Sequence, residues 1–322
     1  MKTIKIGTRG SKLALYQANY IKSLLEKENL SLNFEIVIIK TKGDKILDVA
    51  LSKINDKGLF TKELETSLQN KEIDIIVHSM KDVPTKIDDS LTISAITKRE
   101  ITNDVFISNK YKSFNDLEPN SRLGTSSLRR KSQLLAIRKD LNYLDIRGNV
   151  DTRLKKLDDG EYDAIILAYA GIKRLGLEEK IKDVLNFSVC LPAVGQGAIG
   201  IETRKDDFEI NNILKKIDDI ETNFCVSIER AFLEKLEGGC QVPIGSQAYF
   251  KEDKLFIECF VGNLNGTKTM KDLRSFDFSL IDLEKLSDKF QKYQAKEFGN
   301  FLAEIFIKSD FDKIAKESRA NI

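Results

Sequence analysis

The chain has 322 residues, of which 41% are hydrophobic and 32% charged, and it carries a formal net charge of +2. This length allows two or three domains, each with its own core. The sequence shows neither an apolar run long enough to span a bilayer nor a signal peptide, and its near-neutral charge argues against nucleic acid as a partner. We therefore expect a globular cytoplasmic protein that acts without a membrane.

The first hundred residues alternate between strand and helix patterns. Strands are predicted at 3–8, 34–40 and 73–79, and helices at 11–27 and 61–70. Ser11 is well suited to cap the first helix. Segment 41–60 has two glycines, many charges and weak periodicity, which is typical of a long mobile surface loop. The alternation predicts a mainly parallel sheet with helices on both faces.

The alternating pattern restarts at 104–108, so the sequence predicts a second α/β unit inserted within the first. The glycine-rich segment 191–202 would return the chain to the first unit. A helix from about residue 219 to Lys235 is followed by three strand patterns, which predict a small antiparallel sheet. A long final helix is predicted to begin near Leu280.

Arginine is concentrated in one part of the chain. Of the 13 arginines, seven lie close together in the middle of the sequence: Arg122, Arg129, Arg130, Arg138, Arg147, Arg153 and Arg174. Residues 121–154 carry eight basic and three acidic side chains. Several of these basic residues stand at strand-to-helix junctions, where guanidinium groups can bind carboxylate or phosphate bidentately. We predict a cleft for a polyanion, and the alternative is an ordinary solvated basic face.

Three short motifs add candidate site residues. Arg9 in "GTRGS" stands at a helix N-terminus, which suits an anion, although an ordinary solvated turn has the same pattern. Asp82 in "HSMKDVPT" follows the strand 73–79, at an edge where open α/β sheets bind ligands; a simple Asp-Val-Pro turn is the alternative. Cys240 in "LEGGCQVPIG" lies among permissive loop residues, which indicates a displayed thiol that is a nucleophile, a ligand or an anchor.

The other thiols and the single histidine are interpreted as structural. Cys190, Cys225 and Cys259 lie in apolar or amphipathic patterns and are predicted to pack in the core. No cysteine pair has the close spacing of a zinc or redox motif, which indicates free thiols in a reducing compartment. Because His78 is the only histidine, we predict no metal site and no histidine-activated nucleophile.

Taken together, the motifs resemble those of the hydroxymethylbilane synthase family, also called porphobilinogen deaminases. The similarity covers nearly the whole chain in eight ordered stretches: "KIGTRGSKLALYQA", "KGLFTKELE", "DIIVHSMKDVPT", "GTSSLRRKSQL", "RGNVDTRL", "LAYAGIKRLGL", "LPAVGQGAIGIE" and "ERAFLEKLEGGCQVPIG". The resemblance implies a transferase of tetrapyrrole and heme biosynthesis. Such an enzyme joins four porphobilinogen molecules head to tail, releases ammonia each time and frees hydroxymethylbilane by hydrolysis.

The resemblance also implies a cofactor and roles for individual residues. Cys240 would hold a dipyrromethane cofactor, built from the substrate, through a thioether. Asp82 would be the catalytic residue, because a fixed carboxylate can stabilise a cationic intermediate. Cofactor contacts are implied for Lys81, Asp82, Ser127, Arg129 and Arg130. Substrate contacts are implied for Arg9, Ser11, Gln17, Lys53, Lys57, Arg147, Arg153 and Arg174.

The family's fold is α/β with three domains: two lobes like those of type II periplasmic binding proteins, and a small α+β C-terminal domain with a three-stranded antiparallel sheet. The resemblance predicts domain 1 at 1–98 with 198–217, domain 2 at 103–192 and domain 3 at 219–322. Hinges are expected near 98–103 and 191–199. Segment 41–60 would be the active-site lid. Two positions depart from the family pattern: Asn103 replaces a frequent arginine or histidine, and Asp56 replaces a frequent glycine.

Two other functions would explain part of the sequence. A non-catalytic, two-lobed anion-binding module explains the arginines but gives Cys240 and Asp82 no task. A nucleic-acid binder that used residues 121–154 would lack aromatic side chains for base stacking there, apart from Tyr143. We therefore expect porphobilinogen as the small-molecule partner of a monomeric enzyme.

Overall fold

The computed structural model describes residues 2–29, 31–45, 58, 60–236 and 242–320. The chain divides into two compact units, Met1–Glu100 with Gly197–Asn223 and Ile101–Gln196 with Phe224–Ile322. It passes between the units three times, twice within the segments that were predicted as hinges and once after Asn223. Most of the predicted lid, with Lys53, Asp56 and Lys57, lies outside the described residues, as does Cys240.

Strands and helices alternate along most of the described chain. The strands are β1 (Thr3–Thr8), β2 (Asn33–Ile38), β3 (Ile75–Ser79), β4 (Leu91–Ile96), β5 (Asp104–Ile107), β6 (Arg122–Gly124), β7 (Asn142–Leu144), β8 (Ala164–Ala168), β9 (Asp183–Val184), β10 (Ile199–Arg204), β11 (Ile244–Lys251), β12 (Lys254–Gly262) and β13 (Thr269–Asp277). The helices are α1 (Lys12–Glu28), α2 (Lys42–Lys45), α3 (Lys62–Gln69), α4 (Leu128–Ile137), α5 (Val150–Asp158), α6 (Tyr169–Arg174), α7 (Phe208–Leu214), α8 (Ile220–Leu236), α9 (Asp288–Lys308) and α10 (Phe311–Ala320).

Each unit contains a mixed sheet, and the two sheets share one topology. The strand order is β2-β1-β3-β10-β4 in the first unit and β7-β6-β8-β5-β9 in the second. In both sheets the strand in fourth place runs antiparallel to its two neighbours. That strand is β10 or β5, the first strand after the chain has crossed from the other unit. This is the order of a type II periplasmic-binding-protein lobe, so the predicted fold class is confirmed.

Apolar side chains cover both faces of each mixed sheet. In the first unit one face packs on α1 and α7 and the other on α3. In the second unit successive residues of β5 point to opposite cores, Val105 into one and Phe106 into the other. This alternation follows from the two-residue period of a strand, and it explains why the buried strands lack a polar face.

The second unit also contains a small antiparallel sheet with the order β11-β12-β13, as the sequence predicted. Helix α9 packs closely on α8 at Gly299. An ideal Cβ at this position would lie only 2.5 Å from the carbonyl oxygen of Ile228, so the close approach requires a glycine. One turn further along, the rings of Phe232 and Phe306 meet edge to face with centroids 5.4 Å apart.

The C-terminal helix begins later than predicted. Helix α9 starts at Asp288, because Ser287 caps it by accepting a hydrogen bond from the backbone N–H of Phe290 at 3.4 Å. Leu280, where the helix was expected to begin, is 98% exposed. The predictions also missed β4, α7 and the helical turn α2, which lies inside the segment expected to be a loop.

Candidate functional site

Asp82 lies on an exposed turn with a buried base. The turn is a short 3-10 helix that follows β3 directly and contains Met80, Lys81 and Asp82. Met80 is buried, and its backbone N–H donates to the carbonyl oxygen of Ala198 at 3.0 Å. Lys81 and Asp82 are exposed. The turn therefore presents two opposite charges at the end of a buried strand.

Gln17 connects helix α1 to the residue that precedes this turn. Gln17 is buried, and its side-chain amide exchanges hydrogen bonds of 2.8 and 3.2 Å with the hydroxyl of Ser79, the last residue of β3. Ser11 caps α1 as predicted, since its Oγ accepts a hydrogen bond of 3.3 Å from a backbone N–H of the first turn. Arg9, in the preceding turn, has its guanidinium carbon 4.3 Å from the centre of the Phe60 ring.

His78 forms a buried pair with Glu202. His78 Nε2 and Glu202 Oε2 are 2.8 Å apart, and both side chains are almost fully enclosed. Glu202 Oε1 has no hydrogen-bond partner within the part of the chain that the structure describes. His78 is thus engaged inside the first unit, in agreement with the structural role predicted for it.

In the second unit, Arg129 and Arg130 share the buried carboxylate of Asp104. Arg129 Nη1 lies 2.7 Å from Asp104 Oδ2, and Arg130 Nη2 lies 2.6 Å from Oδ1. Arg129 Nη1 also donates to the carbonyl oxygen of Leu191 at 2.7 Å, and Arg130 Nη1 to that of Ile166 at 2.9 Å. The negative charge that the sequence analysis expected from a bound anion is thus supplied in part by the protein.

Charge compensation dominates the titration of this cluster. Burial alone would raise the pKa of Asp104, but Arg129 and Arg130 outweigh it and hold that pKa well below its usual range. Burial raises the pKa of the neighbouring Cys190 thiol to about 12. Asp104 is therefore an anion and Cys190 a neutral thiol at physiological pH.

Two other arginines of the basic segment are also paired internally. Arg122 binds the carboxylate of Asp163 through Nε and Nη2, both at 3.1 Å. Arg138 binds Asp140 in the same way, at 2.8 and 2.7 Å. The carboxylates that compensate Arg122, Arg129 and Arg130 lie outside residues 121–154. Local charge counting in the sequence therefore overstated the positive charge of this surface.

The loop before α4 is joined to the segment that carries Arg147. Ser126 Oγ donates to the carbonyl oxygen of Ile146 and accepts from its N–H, both at 2.9 Å. Next in the chain, Ser127 caps α4 by accepting a hydrogen bond from the backbone N–H of Arg130. Arg147 is half-buried and makes no ion pair with any residue in the described ranges. The strands before these residues, β6 and β7, are parallel, so both segments lie at one sheet edge.

The remaining predicted residues of this unit lie on neighbouring elements. Arg153 is in the first turn of α5, and its Nε donates to the carbonyl oxygen of Gly148 at 2.8 Å. Arg174 ends α6 and is half-buried. Asn103, one of the two departures from the family pattern, donates to the carbonyl oxygen of Leu185 at 2.9 Å and so has an internal partner.

The start of β11, which follows the segment that carries Cys240, lies close to Arg129. An ideal Cβ on Gly245 would be 3.4 Å from Arg129 Cδ and 3.0 Å from the carbonyl oxygens of Leu191 and Pro192. Gly245 is five residues after Cys240, so the chain leaves this segment beside the buried arginine cluster. The other three cysteines are free and buried, as predicted.

Asp104, Gln196 and Glu202 make buried polar contacts that no sequence motif had indicated. Asp104 opens an apolar strand, "DVFI", and a charged residue in a buried strand usually has a partner. That pattern was a usable signal. Gln196 had none, because its hydrogen bonds to Thr102 and Asp104 join residues more than 90 positions apart.

Neither a metal site nor a membrane span is found in the described part of the chain. No group of three or more histidine, cysteine, aspartate or glutamate side chains in those residues is arranged to hold a metal ion. No helix among them is long and apolar enough to cross a bilayer.

Comparison with known families gives matches over most of the chain. The profile of the porphobilinogen deaminase dipyrromethane cofactor binding domain matches residues 4–212. The profile of the porphobilinogen deaminase C-terminal domain matches residues 223–304.

Individual proteins give the same result. A porphobilinogen deaminase of Carboxydothermus hydrogenoformans is 53% identical over 84% of this chain and 87% of its own. One of Chlorobaculum tepidum is 47% identical over 99% of this chain and 98% of its own. Among solved structures, the methionine-binding protein MetQ covers 67% of this chain and 88% of its own, with 16% identity and a TM-score of 0.42. The strand order of the two mixed sheets, and not this last likeness, assigns the fold.

Proposed function

The chain belongs to the porphobilinogen deaminase family, and on that premise we propose that Asp82 is its catalytic carboxylate and Cys240 the anchor of its dipyrromethane cofactor. The reaction of the family is the synthesis of hydroxymethylbilane from porphobilinogen. Each condensation forms a bond to the aminomethyl carbon of one porphobilinogen and breaks its C–N bond. The amine leaves as ammonia, which takes up the displaced proton, and water finally releases the tetrapyrrole.

The observation that carries the proposal is the place of Arg129 close to Gly245, which follows Cys240 by five residues. Arg129 uses Nη1 for its internal hydrogen bonds, and its Nε and Nη2 donate to no residue in the described ranges. Arg130 Nε is buried and also has no partner among those residues. Unused guanidinium donors fit the acetate and propionate groups that every pyrrole of the cofactor and substrate carries. The residues present therefore suit a dipyrromethane group.

The state of the other thiols supports Cys240 as the anchor. Cys190, Cys225 and Cys259 are buried. Burial raises the pKa of Cys190 to about 12 and that of Cys259 well above its usual range. A thiol that is enclosed and protonated neither reaches nor attacks a substrate. When bound, the dipyrromethane group supplies the pyrrole carbon to which the first substrate unit is joined.

Asp82 has the placement that a catalytic carboxylate needs. It is exposed on a turn whose base is held by buried Met80 and by the bond between Gln17 and Ser79. We assign it the task of accepting pyrrole N–H groups and stabilising the cation left when ammonia departs. A pre-organised charge in this role supplies about 3–4 kcal/mol of transition-state stabilisation. Lys81, next to it, is assigned a cofactor carboxylate.

The remaining predicted residues are proposed to hold substrate carboxylates or to orient the groups that do. Ser127 and Arg130 would support Arg129 at the cofactor. Contacts with the growing chain are assigned to Arg9, Arg147, Arg153, Arg174, Lys53 and Lys57. Ser11 caps α1, and Gln17 forms a hydrogen bond with Ser79. Both would act on the substrate site through the elements that they stabilise.

We further propose a monomer of the cytoplasm that binds neither nucleic acid nor membranes. The free thiols among the described cysteines suit a reducing compartment, and the net charge of +2 provides no general attraction for nucleic acid. Light scattering of the purified protein measures the oligomeric state directly.

The intact mass of the purified protein tests the proposal. The native chain should be heavier than its sequence by two porphobilinogens less two ammonia molecules. A Cys240→Ser variant should show no excess, and a matched Cys225→Ser variant should keep it. An unmodified native chain that porphobilinogen does not convert would contradict the proposal and favour the non-catalytic anion-binding module.

A further inference from the structure

We propose that Asp104 is a positioning residue for the cofactor, because it fixes the guanidinium of Arg129 so that the remaining donors of that group face the cofactor carboxylates. The inference rests on the proposed function, since it takes the dipyrromethane group as the external ligand of Arg129. It assigns a role to a residue that the sequence motifs had not singled out.

The carboxylate of Asp104 is divided between the two arginines. Oδ2 accepts from Arg129 at 2.7 Å and Oδ1 from Arg130 at 2.6 Å. Asp104 is fully buried and stands at the first position of β5, the fourth strand of its sheet, which runs antiparallel to both neighbours. The anchor of both guanidinium groups is therefore part of a rigid element.

Within the described part of the chain, the Arg129 guanidinium is bound through Nη1 only, and its Nε–Nη2 edge is not used there. Nη1 makes three internal contacts, with Asp104, the carbonyl oxygen of Leu191 and the sulfur of Cys190 at 3.4 Å. A guanidinium is planar with its donors in a fixed fork, so holding Nη1 also fixes the direction of Nε and Nη2. These two nitrogens form an edge that a carboxylate can bind bidentately. Neither is bonded to a residue that the structure describes.

Asp104 also connects Arg129 to the two segments in which the chain enters the second unit and returns to the first. Gln196 Nε2 donates to Asp104 Oδ1 at 2.9 Å and to the carbonyl oxygen of Thr102 at 2.6 Å. Gln196 and Thr102 belong to the two predicted hinge segments. Gly245, at the start of β11 and five residues after Cys240, lies close to the Arg129 side chain, since an ideal Cβ built on it would be 3.4 Å from Arg129 Cδ. One buried carboxylate therefore connects Arg129 to residues of both predicted hinge segments.

A purely structural role for Asp104 would be to neutralise two buried cations. That role predicts a loss of stability on substitution and nothing specific to the cofactor. The positioning role predicts in addition that Asp104 and Arg129 act as one unit in cofactor loading. The two roles are distinguished by the rate at which cofactor-free chain gains mass, compared across variants.

The chain and its variants are prepared in a host that makes no porphobilinogen and are then incubated with porphobilinogen, and intact mass is followed with time. The variants are Asp104→Glu, Asp104→Asn, Arg129→Lys and the double variant Asp104→Asn with Arg129→Lys. Asp163→Asn is the matched control, because Asp163 binds Arg122 in the same unit. Unfolding by urea is measured on each variant in parallel.

We expect Asp104→Glu, which keeps the buried charge but moves it by one methylene, to load at least about tenfold more slowly, since misplacement by about 1 Å can cost up to a hundredfold. Asp163→Asn should load at the native rate. In the double variant the loading rate should fall by the same factor as in the more affected of the two single variants. If Asp104→Asn does not fold, Asp104→Glu alone decides the question.

Loading of Asp104→Glu at the native rate overturns the inference, and so do additive losses in the double variant. A native chain that never gains mass refutes the proposed function itself, which is a different result from a native chain that loads together with an unaffected Asp104→Glu variant.

Discussion

Gln17 Nε2 lies 2.8 Å from Ser79 Oγ, and this bond joins helix α1 to the end of β3. The partners are 62 positions apart in sequence, and Gln17 is only 2% exposed. Because Ser79 immediately precedes the turn that carries Asp82, the bond connects the helix that follows Arg9 with the proposed catalytic carboxylate.

Replacing Gln17 by leucine should lower activity as well as stability. The variant leaves the Ser79 hydroxyl without its partner, which costs about 1–3 kcal/mol in unfolding free energy. It also removes a support of the turn that carries Asp82. If the Asp82 carboxylate is displaced by nearly 1 Å, kcat should fall by about tenfold or more. Steady-state kinetics and urea unfolding measure the two effects. Asn19→Ala, on an exposed site of the same helix, is the control. A stability loss with native kcat would disprove the link to Asp82.

Asp82→Asn should abolish most of the activity while the fold remains intact. Loss of one pre-organised electrostatic group costs about 10²–10³-fold in kcat. Asp82 is exposed, so the midpoint of thermal unfolding should not change. Asp89→Asn, an exposed carboxylate a few residues further along, should have native kinetics. Equal losses in the two variants would show that Asp82 has no special role.

The pair of His78 and Glu202 should behave as a stability unit. Removal of one partner costs about 1–3 kcal/mol, because the other is left buried without its hydrogen bond. We therefore expect His78→Leu to destabilise the protein strongly, and the double variant His78→Leu with Glu202→Leu to recover part of the loss. Urea unfolding of the native chain, His78→Leu, Glu202→Leu and the double variant gives the coupling energy. A His78→Leu variant as stable as the native chain would show that the pair contributes nothing.

Thiol reactivity should report the state of Cys240. Burial raises the pKa of Cys190 to about 12, and that of Cys259 is also raised, so both stay protonated and unreactive at pH 8. With a disulfide reagent, native cofactor-loaded protein should show no fast-reacting thiol. Cofactor-free protein should show one, that of Cys240. Since the chain has four cysteines, unfolding should expose three in the loaded form and four in the free form. A fast thiol in a cofactor-free Cys240→Ser variant would contradict this assignment.

Local sequence pattern predicted the elements whose causes are local. The N-cap at Ser11, the buried strand before Asp82 and the three strands of the small sheet all follow from side-chain period and capping chemistry. The start of α9 was missed because residues 280–287 have the composition of a helix, and only the cap at Ser287 shows where the helix begins.

The candidate site was less predictable because its contacts are long-range. The arginines were recognised, but the internal partners of Arg129 and Arg130 were not, since Asp104 comes from a strand at least 25 positions away. Which donors are spent inside the protein and which remain for a ligand depends on tertiary packing. No pattern in the sequence distinguishes Arg129 from Arg147 in this respect.

Arg147 should contribute mainly to substrate binding. It is half-buried, at a junction between β7 and α5, and makes no ion pair with the described residues. A hydrogen bond to a charged group is worth about 1.5–3 kcal/mol, so Arg147→Leu should raise KM for porphobilinogen by about tenfold or more. Arg274→Leu is the charge-matched control, because Arg274 is bound to Asp272 at 2.8 Å on the antiparallel sheet. The difference in KM between the two variants should be smaller in high salt, because salt screens exposed charges. A lower kcat with native KM would instead assign Arg147 to the chemical step.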